Sequence, residues 1–201
     1  LADLLEEHER WQSLANMLDT VMSVPRFSSP QLRLLHARTL IEMGETVAAI
    51  EMLEGVLASA GTSPGVTAEA ARLFVSAGAL ERAARAYESL LSLSEVPEAL
   101  IRALGFLYLR LDRPQEVVRL VASEESPSGG QLYLLASAYR RRGNFEQAYE
   151  TLQRMLALSA EKGPGALPFA RESEQFLLLA GTICDEAGRY EIQAIEGEAI
   201  F

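Results

Sequence analysis

The sequence predicts an all-α solenoid of antiparallel helix pairs, about 11–12 helices in all, and three observations lead there. The first is a period. Turn residues between helical stretches fall at Glu9, Gly44, Gly78, Asp112, Gly143 and Gly188, at intervals of 35, 34, 34, 31 and 45. A helix–turn–helix period of roughly 20–50 residues marks an array in which each unit touches only its neighbours. The second is a recurring small residue seven places before the turn, followed by a large one four places before it. The third is apolar spacing of three and four within each stretch, which gives every helix one buried stripe.

The elements follow in order. The first unit, about 1–24, places Ala2 and Leu5 before Glu9 and Trp11 after it, with helices predicted over 1–7 and 10–23. The second, 29–60, has Ala37 and Leu40 before Gly44 and Ala49, Leu53 and Leu57 after it, with Thr46 where a bulky residue recurs elsewhere (helices 29–43 and 46–60). The third, 66–93, repeats this with Ala71, Phe74, Leu80, Ala83, Tyr87 and Leu91 (helices 66–77 and 80–92). The fourth, 97–123, uses Gly105, Tyr108 and Val117 around Asp112, and its short interval clips the second helix near Ser123 (helices 97–111 and 114–123). The fifth, 130–160, holds Ala136, Tyr139, Phe145, Ala148, Leu152 and Leu156 (helices 130–142 and 145–160). The sixth, 170–201, has Gly181, Cys184 and Tyr190, with Gln193 where alanine recurs (helices 170–187 and 190–201). The long interval before it adds an extended helix and loop near 161–171. Small residues let helix backbones approach and large ones fill the adjacent grooves. Proline, glycine and serine mark the linkers at 25–30, 61–65, 126–130 and 163–165. The domain organisation read from this is one array over residues 1–201.

The composition excludes several classes of function. Apolar residues make up 49% of the chain, enough for a packed core, but only 7% are aromatic, so Leu and Ala do most of the filling. A net charge of −10 argues against a nucleic-acid partner and against docking on an anionic membrane. Cys184 is the single cysteine, so there is no internal disulfide framework. No apolar run reaches the roughly 18 residues that span a bilayer, so direct membrane insertion is not expected. His8 and His36 lack a constellation at metal or catalytic spacing, and Cys184 sits in a packing slot. Adjacent acidic pairs such as Glu124-Glu125 point about 100° apart on a helix and do not converge as an acid–base dyad. No enzymatic activity and no cofactor are expected.

Leu104-Gly105-Phe106-Leu107-Tyr108, and Leu135-Ala136-Ser137-Ala138-Tyr139 followed by Gly143-Asn144-Phe145-Glu146-Gln147-Ala148, resemble the tetratricopeptide repeat. The resemblance extends over nearly the entire chain, as about five and a half units. It implies a right-handed superhelix whose first helices line a concave groove. Carried over position by position, it places Leu34, Arg38 and Ile41, then Ala68, Arg72 and Val75, toward that groove. Arg102, Phe106 and Leu109 follow, then Tyr133, Ser137 and Arg140, and then Leu178, Thr182 and Asp185. The expected binding residues are Leu34, Arg38, Ile41, Arg72, Val75, Arg102, Phe106, Leu109, Tyr133 and Arg140. Arginines beside exposed apolar residues suit an acidic, amphipathic peptide or helix. The alternative reading of these arginines is pairing with neighbouring acids or plain solvation.

The function expected is that of a non-enzymatic scaffold or adaptor binding a protein or peptide partner. A peptide-sensing regulatory module and a self-association module are the alternatives, the latter through Ile192, Ile195, Ile200 and Phe201 at the last repeat. Family members that grip a chaperone's terminal carboxylate use a Lys/Asn/Arg clamp. The comparable positions here, Leu34 and Arg38, Ala68 and Arg72, Arg102 and Phe106, hold no asparagine. A 35-residue RNA-reading relative would need a basic groove, against which the net charge stands. The chain opens with Leu1 inside a half-finished repeat and reads as a fragment of a longer bacterial protein. Of cytoplasm and periplasm, the cytoplasm is favoured.

Overall fold

The computed structural model describes residues 2–24, 28–59, 62–93, 95–122, 124, 126–162 and 174–188, with the helical backbone alone at 2–8, 162 and 174–177. Regular structure among them is helical throughout: α1 (Ala2–Met22), α2 (Pro30–Glu42), α3 (Thr46–Leu57), α4 (Pro64–Ser76), α5 (Leu80–Glu88), α6 (Glu98–Arg110), α7 (Pro114–Ala122), α8 (Gly129–Arg141), α9 (Phe145–Lys162) and α10 (Glu174–Glu186). A 3-10 helix, Ser89–Ser92, continues α5. The chain divides into two compact units, Leu1–Val96 and Pro97–Phe201. In the first, α2 packs against α1, α3 and α4, and α4 against α5. In the second, α8 packs against α6, α7 and α9, and α9 against α10.

Each sequence-predicted turn from Gly44 onward is a left-handed residue. Gly44, Gly78, Gly143 and Gly188 have φ of 81°, 75°, 74° and 66°, and Asp112, alone without glycine's freedom, has φ 55°. Two hydrogen bonds recur around them. In α2 the Gly44 N–H donates to the Ile41 carbonyl at 3.0 Å and the Glu45 N–H to that of Leu40 at 2.8 Å. The same pair closes α4 (Gly78 to Val75, Ala79 to Phe74), α6 (Asp112 to Leu109, Arg113 to Tyr108) and α8 (Gly143 to Arg140, Asn144 to Tyr139). This Schellman arrangement satisfies carbonyls that a helix end otherwise leaves without partners. The bond that spans more residues is in each case accepted by the large residue of the repeat: Leu40, Phe74, Tyr108 or Tyr139.

Helix starts are equally local. Ser29 and Ser63 accept from the amides of Leu32 and Val66, and Pro30 and Pro64 occupy the first turn, where a missing N–H costs nothing. Ser128 and Gln131 form a reciprocal capping box at the head of α8.

The small positions disappear into the core. Ala37, Ala71 and Ala136, and after the turns Ala49, Ala83, Val117 and Ala148, are fully buried. Phe74, Leu53, Leu104, Leu134 and Leu152 are the large side chains packed around them. At about 1.5–3 kcal/mol for burying each large apolar side chain, packing outweighs any single cap as a source of stability. Cys184 belongs to this core beside Leu179, Ala180 and Ile183, and burial pushes its thiol above the ordinary thiol range.

Some expectations need correction. The turn at Glu9 does not form, because α1 runs unbroken from Ala2 to Met22 where helices over 1–7 and 10–23 were expected. Glu9 and Arg10 favour helix, and no glycine is present to take the left-handed turn. The second helix of the third unit is α-helical only to Glu88 before tightening into 3-10 geometry. α7 is short, ending at Ala122, as the 31-residue interval implies, and α9 runs on to Lys162. The final helix expected over 190–201, the loop near 163–171 and the side chains of His8, Ala2 and Leu5 lie outside the described residues.

Asp112→Gly should remove the left-handed cost of about 1 kcal/mol. Its melting temperature should rise by about 2–4 °C, and Asp112→Ala should lower it; calorimetry of both variants checks this. Cys184 should react with Ellman's reagent at least about tenfold more slowly in the native chain than in urea. Equal rates would place the thiol outside the core.

Candidate functional site

In the second unit α6 packs beside α8, with glycines at two of their contacts, and α10 adds side chains to the same face. A Cβ placed on Gly105 would stand 2.6 Å from Leu134 Cδ1, so the Leu134 side chain of α8 fills the space that a side chain at 105 would need. A Cβ on Gly130 would meet Arg102 Cδ at 2.8 Å, so the aliphatic stem of Arg102 lies across the start of α8. The Ser128 hydroxyl donates to Glu98 Oε1 at 2.7 Å, tying that start to the first turn of α6.

This close packing leaves a pocket of about 420 Å³ on the face opposite the second helices. From α6 come Phe106, Leu109 and Arg110; from α8, Tyr133, Ser137, Arg140 and Arg141; from α10, Leu178, Leu179 and Thr182. The Phe106 and Tyr133 rings are 6.2 Å apart and tilted at 44°, an attractive aromatic geometry. Leu109 and Leu179 are buried, whereas Phe106 is 41% and Leu178 61% exposed. Arg140 Nη1 is 3.3 Å from Glu186 Oε1, and its Nε–H is buried without an acceptor among the described residues. Arg141 is fixed by donating to the Leu109 carbonyl.

Seven of the sequence-predicted groove positions meet in this pocket: Phe106, Leu109, Tyr133, Ser137, Arg140, Leu178 and Thr182. Arg102 lies exposed on the same helix, against Gly130 and outside the pocket lining. In the first unit, Arg38 and Arg72 are exposed, Ile41 and Val75 are half-buried and Leu34 is buried. Leu34 therefore faces packing and not solvent, since α1, α3 and α4 all press on α2 and leave it a narrower free arc. Arg72 pairs with Glu69 one turn earlier on α4. Burial raises the Tyr87 phenol above its ordinary value, and of the two charges beside it Arg72 opposes the rise and Glu69 adds to it.

Arg110, Arg141 and Leu179 were not anticipated. Each sits one place beyond a predicted groove residue, and the arginines in the last turns of α6 and α8 are a signal that could have found Arg110 and Arg141. His36 is buried with Asp19 of α1 3.7 Å away, and its ring nitrogens have no hydrogen-bond acceptor or donor among the described residues. No cluster of three metal-ligating side chains occurs among the described residues. No described helix is long and apolar enough to cross a membrane.

The sequence model of the tetratricopeptide repeat matches residues 131–165, which contain most of α8 and all of α9. No curated protein matches the chain in sequence. Among solved structures, a tetratricopeptide repeat protein from Parabacteroides merdae superposes on 94% of this chain and 73% of its own, at a TM-score of 0.59 and 13% identity. TPR-like repeats described as those of a kinesin light chain from Podosopora anserina cover 79% of this chain and 86% of their own, at a TM-score of 0.53 and 21% identity. BtubC from P. vanneervenii covers 93% and 85%, at 0.53 and 15%. These likenesses are of fold. One helix pair, residues 131–165, thus matches the tetratricopeptide repeat in sequence, and the chain shares the helical-repeat fold of tetratricopeptide repeat structures over most of its length.

Proposed function

We propose that the chain is a non-enzymatic scaffold or adaptor that binds a segment of another protein on the faces of its first helices. The fold is a protein-interaction fold, and the observation that supports a specific face is the pocket between α6, α8 and α10. An interaction site needs apolar area that folding has not already consumed, and Phe106 and Leu178 supply it there. The arginines around them add direction, since a guanidinium recognises a carboxylate by geometry as well as charge. In this reading Arg38, Ile41, Arg72 and Val75 contribute from the first unit and Arg102, Phe106, Leu109, Tyr133 and Arg140 from the second.

The reading also sets the roles of the acids. An exposed pair within one helix, such as Arg72–Glu69, is worth only about 0–1 kcal/mol and leaves the arginine available to a partner. Residues 1–201 are proposed to work as a single array, with self-association through the last repeat as the competing use of the same fold. Light scattering over a concentration series separates the two, and a constant mass favours the adaptor reading.

Partner recovery by the intact chain should fall at least tenfold in Arg102→Glu, because the reversal repels an acidic segment along α6. Arg154→Glu, an exposed change on the second helix α9, should leave recovery unchanged. Equal recovery by all three proteins would remove the first-helix face as the binding surface.

A further inference from the structure

The pocket in the second unit has a charge opposite to that of the chain as a whole. In a protein of net charge −10, Arg110, Arg140 and Arg141 line it and no carboxylate does. Phe106 of α6 and Leu178 of α10 line it while exposed, which makes its mouth apolar. The volume of about 420 Å³ accommodates one large side chain with backbone on either side.

Arg140 is the informative residue. Its contact with Glu186 is 3.3 Å, longer than the roughly 2.7–2.9 Å of a strong charge-assisted bond. Its Nε–H has no acceptor among the described residues, so the guanidinium uses its hydrogen-bonding capacity incompletely. The carboxylate that holds it comes from the last turn of α10, beside the pocket and not within its lining. An incoming carboxylate that took Nη1 from Glu186 and, with that side chain turned aside, reached the Nε–H would satisfy the donor that Glu186 leaves idle. The carboxylate of Glu186, 30% exposed, would then turn toward water.

We propose that this pocket is an anchor for an acidic peptide: it seats an aromatic or branched apolar side chain while a neighbouring Asp or Glu of the peptide replaces Glu186 on Arg140. Glu186 is then a built-in competitor that holds the arginine in place and sets the affinity for acidic ligands. The inference rests on the peptide-binding reading above and assigns its selectivity. Arg141, held by the Leu109 carbonyl, contributes a fixed positive charge that repels basic segments.

The test uses the 201-residue chain and a displayed library of random dodecapeptides. Selected peptides should place Asp or Glu within four positions of Phe, Leu, Ile or Trp. Synthesised with a fluorophore, they should bind Glu186→Gln at least threefold more tightly than the parent chain and Arg140→Gln at least tenfold more weakly. Leu178→Glu, at an exposed position where folding is safe, should also cost tenfold, which keeps the pocket testable if Arg140→Gln unfolds. Neutral or basic selections, or acidic peptides indifferent to Glu186→Gln and Leu178→Glu, overturn the anchor while leaving peptide binding elsewhere on the first helices intact. Absence of any peptide enriched over an unrelated protein counts against both the anchor and the reading it rests on.

Discussion

The left-handed residue that ends each first helix is the constraint on which the rest of each unit depends. It reverses the chain within two or three residues and fixes the direction in which the second helix leaves. One of its two recurring hydrogen bonds ends on the carbonyl of the repeat's large residue, so backbone turn and side-chain packing meet at the same position. Tyr108 shows the coupling: its carbonyl takes the Arg113 N–H at 2.8 Å while its ring is buried. A single turn of this kind contributes little beside the burial of Leu104, Leu134 and Leu152. Its importance is registry: without it, the small residues of one helix would not face the large ones of the next.

That coupling explains how much could be read before any coordinates. Turn, small slot and large slot lie within seven residues of one another, so their spacing is local and survives as a sequence pattern. Asp112 was legible as a turn through its neighbours Gly105, Tyr108 and Val117 despite lacking glycine's freedom. Glu9 misled for the opposite reason: it has the right spacing, but nothing there stops a helix, and α1 continues through it. Leu34 misled because its position in the repeat points outward, while coverage by three neighbouring helices is a tertiary fact. The Arg140–Glu186 contact spans 46 residues and depends on how α10 sits beside α8, which no local spacing encodes.

Function follows from what the packing leaves over. The second helices spend their apolar stripes on the core, and in the second unit the first helices keep Phe106 and Leu178 partly free around a cluster of arginines. Within a chain of net charge −10, no carboxylate lines the pocket that these arginines share. Long-range repulsion of acidic ligands by the whole chain is screened beyond about 8 Å at physiological salt, whereas contacts inside a partly enclosed pocket are screened less. In the proposed reading, short-range complementarity would therefore govern selection at this face.

The central claim is that first-helix faces bind and second-helix faces pack. Amide hydrogen exchange on the intact chain, with and without a bound acidic peptide, tests it most directly because it reports every helix in one measurement. The account predicts slowed exchange in α6, α8 and α10 on binding, with α7 and α9 unchanged. Slowing confined to α7 and α9, or a bound peptide that leaves α6 and α8 unaltered, would contradict it.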